Sequence, residues 1–188
     1  MRGLVARLAA AVLTIAGPAA AGVVVSAAAP AAVAVAQATW TVLTETEGRF
    51  AVELPGKPTA KRWTQDAGGG LMLENVEYLL AAGGDQFTVG SANFKMDVTE
   101  AQLQVGFKAA IDELVATSGG TESWRRATTV SGKTAVEAEY VEQIGGASYR
   151  NRVVVTFGGQ RLYTMSVRQP VAAPVSTAER ALRSLRLL

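Results

Sequence analysis

Beyond residue 38 the chain alternates apolar and polar positions almost throughout, and one long run of helical period breaks that alternation. Phe50, Val52 and Leu54 share one face of the run Phe50–Leu54, which stops at Pro55. Alternation of this kind marks a strand. Trp40–Leu43 reads as a shorter strand before it, and the polar Glu45–Arg49 as the turn between them. Thr59–Gln65 is charged and follows Pro58, which suits a strand at a sheet edge. Leu71–Leu80 and Gln86–Phe94 flank Gly83-Gly84 and predict a hairpin. The period then changes. Leu103, Phe107, Ile111 and Leu114 recur at helical spacing, so a helix is predicted over 99–118. Asp97 with Glu100, or Thr99 with Gln102, forms its capping box, and Ser118-Gly119-Gly120 stops it. Gly106 leaves room for close packing on a sheet. Alternation resumes in Glu122–Val130, Thr134–Gln143, Ser148–Phe157 and Arg161–Gln169, punctuated by Ser131-Gly132, Gly145-Gly146 and Gly158-Gly159. This is a strand meander. A short helix over 176–184 with a Ser/Thr cap follows, and Leu185–Leu188 closes the chain.

Register and parity extend the reading. A two-residue loop at Gly145-Gly146 sets Ile144 opposite Ala147 and therefore Glu139 opposite Arg152. Val153, Val155, Phe157 and Leu162 fall on one face, whereas Val154, Tyr163, Met165 and Val167 fall on the other. Both faces need cover, and the two helices supply it. The predicted fold is α+β: a largely antiparallel sheet of about seven to nine strands between helices near 99–118 and 176–184, an α/β/α sandwich.

Charge changes the picture only after the first 38 residues are set apart. Arg2 and Arg7 precede an apolar, alanine-rich run without acids that ends in Ala36-Gln37-Ala38. That order is the mark of a secretory signal peptide over residues 1–38, cleaved after Ala38. Ala19-Ala20-Ala21 offers an earlier site, and retention as a membrane anchor is the competing reading. Gly17-Pro18 and Pro30 interrupt the run, which counts against an anchor. The remainder, 39–188, reads as a single exported domain, periplasmic or secreted, with no integral membrane segment. The whole chain has 18 Lys+Arg and 16 Asp+Glu; without Arg2 and Arg7 the basic and acidic side chains balance. The basic character therefore gives no support to nucleic-acid binding. The balance is uneven along the chain, because Ala147–Leu188 holds seven arginines against one acid, Glu179. Either an anion-binding face lies near the C-terminus, or the two halves compensate each other within one sheet, as the Glu139–Arg152 register suggests.

The absence of Cys and His excludes disulfides, a Ser-His-Asp triad, a cysteine nucleophile and the usual zinc sites. Glu137 and Glu139 share a strand face and could serve acid–base chemistry or bind a hard cation, but Arg150 and Arg152 are ready partners for them. Glu45 and Glu47 sit in a turn without the spacing of a calcium loop. Gly132-Lys133-Thr134 enters a strand, and Gly56-Lys57 precedes Pro58, so neither pair makes a phosphate loop. No catalytic, cofactor-binding or metal-binding residues emerge, and no cofactor is called for. The candidate partner-binding residues are Trp124, Arg125, Arg126, Tyr149, Arg150 and Arg152, where arginines and aromatics interleave. The competing reading makes them exposed strand residues with one aromatic going to the core.

The succession Trp40-x-Val-Leu, then Glu47-Gly-Arg-Phe-Ala-Val-Glu-Leu-Pro-Gly-Lys-Pro58, resembles the opening of bacterial exported proteins of the PsbP-like superfamily. Ser131-Gly132-Lys133 entering a strand with Glu137 and Glu139, Arg161-Leu162-Tyr163 in a late strand, and Ser184-Leu185-Arg186-Leu187 at the end follow in the same order. The family end often reads Ser-Phe-Arg-Leu, and Leu185 stands in for its phenylalanine. The resemblance implies an α/β/α sandwich shared with the extrinsic protein of the photosynthetic water-oxidising complex. It implies a binding or assembly role without catalysis, here in the bacterial cell envelope, with an envelope protein or small ligand as partner. A periplasmic small-ligand carrier is the alternative, with a pocket between the helix over 99–118 and the sheet. Glycines 83, 84, 145 and 146 would shape its mouth.

Overall fold

A computed structural model describes residues 39–68 and 70–188; the expected signal peptide lies outside them. The strands are β1 (Thr41–Glu45), β2 (Phe50–Leu54), β3 (Thr59–Asp66), β4 (Met72–Ala82) and β5 (Asp85–Asn93), then β6 (Thr121–Val130), β7 (Lys133–Ile144), β8 (Ala147–Gly158), β9 (Arg161–Pro170) and β10 (Arg186–Leu187). Helix α1 spans Glu100–Ser118 and α2 Ser176–Ser184. Seven strands form one antiparallel sheet in the order β3-β4-β5-β9-β8-β7-β6. The charged β3 is an edge, as expected of it. Ser131-Gly132 (φ 49° and 73°) and Gly145-Gly146 (φ 58° and 82°) are left-handed pairs in two-residue loops. That geometry matches the right-handed twist of the strands they join. The second loop fixes the register, and Glu139 lies opposite Arg152.

Parity divides the core as the sequence indicates. On one face Phe107, Ala110, Ile111 and Leu114 of α1 pack on Leu73, Phe94, Val153, Val155, Phe157 and Leu162. On the other, Val154, Tyr163, Met165 and Val167 meet Ala178, Ala181 and Leu182 of α2. Helices cover both faces of the sheet, so the fold is the expected α+β sandwich. One feature goes beyond that expectation. β1 and β2 do not extend the main sheet but join β10 in a three-stranded antiparallel sheet, order β1-β2-β10. Phe50, Val52 and Leu54 point into the second core, so the small sheet shares the cover of that face with α2. Burial of both faces is what makes the central strand β8 a continuous apolar run at Val153, Val154 and Val155.

The cap of α1 is Thr99, not Asp97: its hydroxyl accepts from the Gln102 N–H, and the Gln102 carboxamide accepts from the Thr99 N–H at 2.7 Å. Gly119 closes the helix at φ 63°, a conformation that costs a glycine little. Helix α2 differs from the sequence expectation, because Val175 caps it and no side chain bonds its first turn. Packing of Ala178, Ala181 and Leu182 holds it instead.

Candidate functional site

Trp124 and Arg126 project from β6 and Arg152 from β8 onto the α2 side of the sheet. The β7 carboxylates stand between them, because Arg126 pairs with Glu137 and Arg152 with Glu139 in the ladder. Arg126 donates to Glu137 Oε2 at 2.7 and 3.0 Å. Arg152 donates to Glu137 Oε1 at 2.7 Å and to Glu179 of α2 at 3.2 Å. One carboxylate thus joins two guanidinium groups, and a helix residue completes the network. Both guanidinium groups lie over the Trp124 ring, at 4.8 Å (Arg126) and 5.5 Å (Arg152) from its centroid. The Arg152 side chain is only 8% exposed. Its Nε–H is buried without a hydrogen-bond partner, with Glu139 Oε2 standing 3.9 Å away. Above this network opens a cleft of about 230 Å³, lined by Arg126, Thr128, Glu137, Arg152, Glu179 and Arg183, among others.

The candidate residues do not form one patch. Trp124, Arg126, Arg150 and Arg152 share the α2 face; Arg150 sits 3.6 Å from Glu139 and donates to the Val171 carbonyl, outside the cleft. Arg125 points to the opposite face, where it bonds Asp112 of α1 at 2.7 Å and Glu122 at 2.5 Å. Burial pulls its pKa down, but those two carboxylates outweigh it and raise the group above the ordinary arginine value. Tyr149 lies beneath Arg168, 5.7 Å from its guanidinium, at the far end of the α1 face. Glu179, Arg183 and Thr128 belong to the cleft and are absent from the sequence-derived set. The sequence signal for the first two is their spacing: they lie one turn apart on the polar side of α2.

Other chemistry read from the sequence resolves into structure. Glu45 is buried and accepts from the Glu47 and Gly48 N–H groups, from Arg62 at 2.6 Å and from the Tyr78 hydroxyl. Burial pushes its carboxyl up, but Tyr78, Gly48 and Arg62 together leave it below the ordinary glutamate value. Among the described residues no group of three or more carboxylates is placed to hold a metal ion. Lys133 begins a strand, so its Gly-Lys-Thr run has no helix N-terminus to offer a phosphate. Between α1 and the sheet, Phe157 contacts Phe94 and Phe107 with ring centroids 5.8 and 5.9 Å apart. Glycines 83, 84, 145 and 146 are the residues of the β4–β5 and β7–β8 hairpin turns.

No protein-family model matches the chain, and no curated protein matches it. Its fold is similar to that of cyanobacterial PsbP (CyanoP) from Synechocystis sp. PCC 6803, with a TM-score of 0.58 at 13% identity, over 85% of this chain and 98% of that one. LpqN of Mycobacterium tuberculosis, described as involved in cell envelope biogenesis, aligns at a TM-score of 0.45 and 13% identity over 79% of this chain and 78% of its own. A Bacteroides thetaiotaomicron VPI-5482 protein aligns at 0.43 and 13% identity over 74% of this chain. This chain spans 45% of that protein's length. The CyanoP match, over nearly that whole protein, gives the chain a PsbP-like fold.

Proposed function

We propose that the chain is an exported, non-catalytic binding or assembly module of the cell envelope, and that the cleft beside α2 engages its partner. The observation that carries this reading is the Arg126–Glu137–Arg152–Glu179 network. It holds the Arg126 and Arg152 guanidinium groups over Trp124 and forms one wall of a charged cleft, with Glu137 and Glu179 each held by a guanidinium group. A general acid or base needs a free proton-accepting or proton-donating group aimed at a substrate, and these groups are committed to each other. A rigid, arginine-rich surface is suited to recognition instead. Export rests on the leader read in residues 1–38. At about 230 Å³ the cleft is below the ~300–1,000 Å³ of sites that enclose small ligands, which favours a macromolecular partner whose side chain enters it.

The test is crosslinking in the host envelope followed by purification. A discrete adduct with the wild type that is lost in Arg126→Gln supports the reading, provided the variant melts like the wild type. Adducts insensitive to this change count against the cleft. The carrier reading keeps one observation in its favour: a second groove of about 360 Å³ between the β1–β2 turn and β3–β4, lined by Glu47, Arg62, Trp63, Glu74 and Arg161 among others. Native mass spectrometry of protein purified from the host separates the two, since a carrier retains a small molecule.

A further inference from the structure

Nine of the sixteen cations in residues 39–188 are in ion pairs, and those that are not are unevenly placed. Arg49, Lys133, Arg161, Arg183 and Arg186 make no ion pair among the described residues, and all five lie at one end of the main sheet. The strand directions require it. The β6–β7 turn, which precedes Lys133, and the β8–β9 turn, which precedes Arg161, close the same end. The C-terminal strand ties the others to it: Leu187 N–H donates to Ser131 Oγ at 3.0 Å, and Leu188 N–H to the Arg49 carbonyl at 2.9 Å. Arg186 lies on β10, and Arg183 shares the cleft wall with Val130, the last residue of β6. Arg49, Lys133, Arg183 and Arg186 are exposed. Glu74 at this end is taken by Lys95, while Glu45 and Glu47 share the single cation Arg62. Among the described residues, Asp66 and Asp97 are the side-chain carboxylates at this end without an ion-pair partner; one lies at the end of β3, the other before α1, where Gln160 bonds it. Positive charge is therefore in excess, and it is concentrated around the β10 tail.

We propose that this end is a docking face for an anionic lipid surface. Arg49, Lys133 and Arg161 sit at strand ends beside turns and Arg183 on α2; only Arg186 lies on an edge strand, and β10 is two residues long, too short to template an added peptide strand. Leu188, 59% exposed, projects among them. Cations spread over a blunt end around an exposed apolar residue match a charged bilayer surface, which asks for no groove. Arg183 borders both this face and the α2 cleft, but Arg49, Lys133 and Arg186 do not line the cleft, so the two can fail separately.

The test uses protein purified from the host envelope and vesicles of phosphatidylcholine with or without phosphatidylglycerol. Each cation at an anionic surface is worth about fivefold in partitioning, so the triple variant Arg49→Gln/Lys133→Gln/Arg186→Gln loses roughly a hundredfold. A control, Lys57→Gln/Lys61→Gln/Lys108→Gln, removes equal charge elsewhere and binds like the wild type. Added salt abolishes the difference between vesicles. Unchanged thermal melting confirms that all three proteins are folded. Equal loss in both triple variants, equal binding to neutral vesicles, or binding to polyglutamate but not to vesicles overturns the proposal. The last outcome assigns the face to an acidic protein. Arg126→Gln leaves vesicle binding unchanged, which separates this face from the cleft.

Discussion

Replacing Arg152 by methionine tests whether the charge network is buried structure. The Arg152 side chain is 8% exposed, Glu137 12% and Glu139 17%, so water screens little of the network. The substitution leaves Glu137 with Arg126 alone, whose side chain is 60% exposed, and removes the tie from β8 to Glu179 of α2. Methionine fills most of the volume, so the cost is one of charge and not of a cavity. Removing one partner of a buried ion pair costs about 3–5 kcal/mol. In a domain of this size that lowers the melting temperature by roughly 10 °C. Arg126→Met removes the outer, exposed member and costs at most about 1 kcal/mol. Urea unfolding of both variants beside the wild type reads the difference as a shift in midpoint at constant slope. If Arg152→Met unfolds within about 1 kcal/mol of the wild type, or no earlier than Arg126→Met, the network is not desolvated and the rigid-cleft argument fails.

Gly90→Ala places a Cβ 2.6 Å from the Val76 carbonyl oxygen across β4–β5, and unfolding midpoints should show a loss of about 1–3 kcal/mol. Glu77 is buried beside Gly90 in the ladder, and desolvation raises its carboxyl above the ordinary value, against a smaller opposing pull from Lys61. The ionised form therefore costs stability as pH rises through the folded-state pKa; Glu77→Gln should stabilise at pH 7, and the gap should close below the ordinary value of 4.5. Glu45 has the opposite sign: its depressed carboxyl contributes stability above 4.5 that is lost as pH falls through the folded value. Glu45→Gln should cost about 1–3 kcal/mol at neutral pH and flatten that acid limb in melts taken across pH.

Much of the fold was legible because parity and turn chemistry are local. Gly145-Gly146 alone set the Glu139–Arg152 register, and alternation assigned Val153 and Val154 to opposite cores. The small sheet was not legible, since alternation says which face of β2 is buried but not which strand lies beside it. β2 meets β10 across more than 130 residues of chain, a pairing that only tertiary packing decides. The candidate site was partly legible. Period-two parity already separates Arg125 from Trp124 and Arg126, and Tyr149 from Arg150 and Arg152. Glu179 and Arg183 could not be joined to them without knowing which part of the sheet α2 crosses. The α2 cap was misjudged because a Ser/Thr near a helix start signals a cap only if the backbone turns there, and here the turn falls at Val175.

The most direct measurement of the central claim is site-specific photocrosslinking in the host. A photoreactive residue replaces Thr128, inside the cleft, and separately Gln104, exposed on α1. The account predicts a discrete adduct from position 128 that disappears with Arg126→Gln, and none from position 104. Adducts of equal strength from both positions, or from position 104 alone, contradict it.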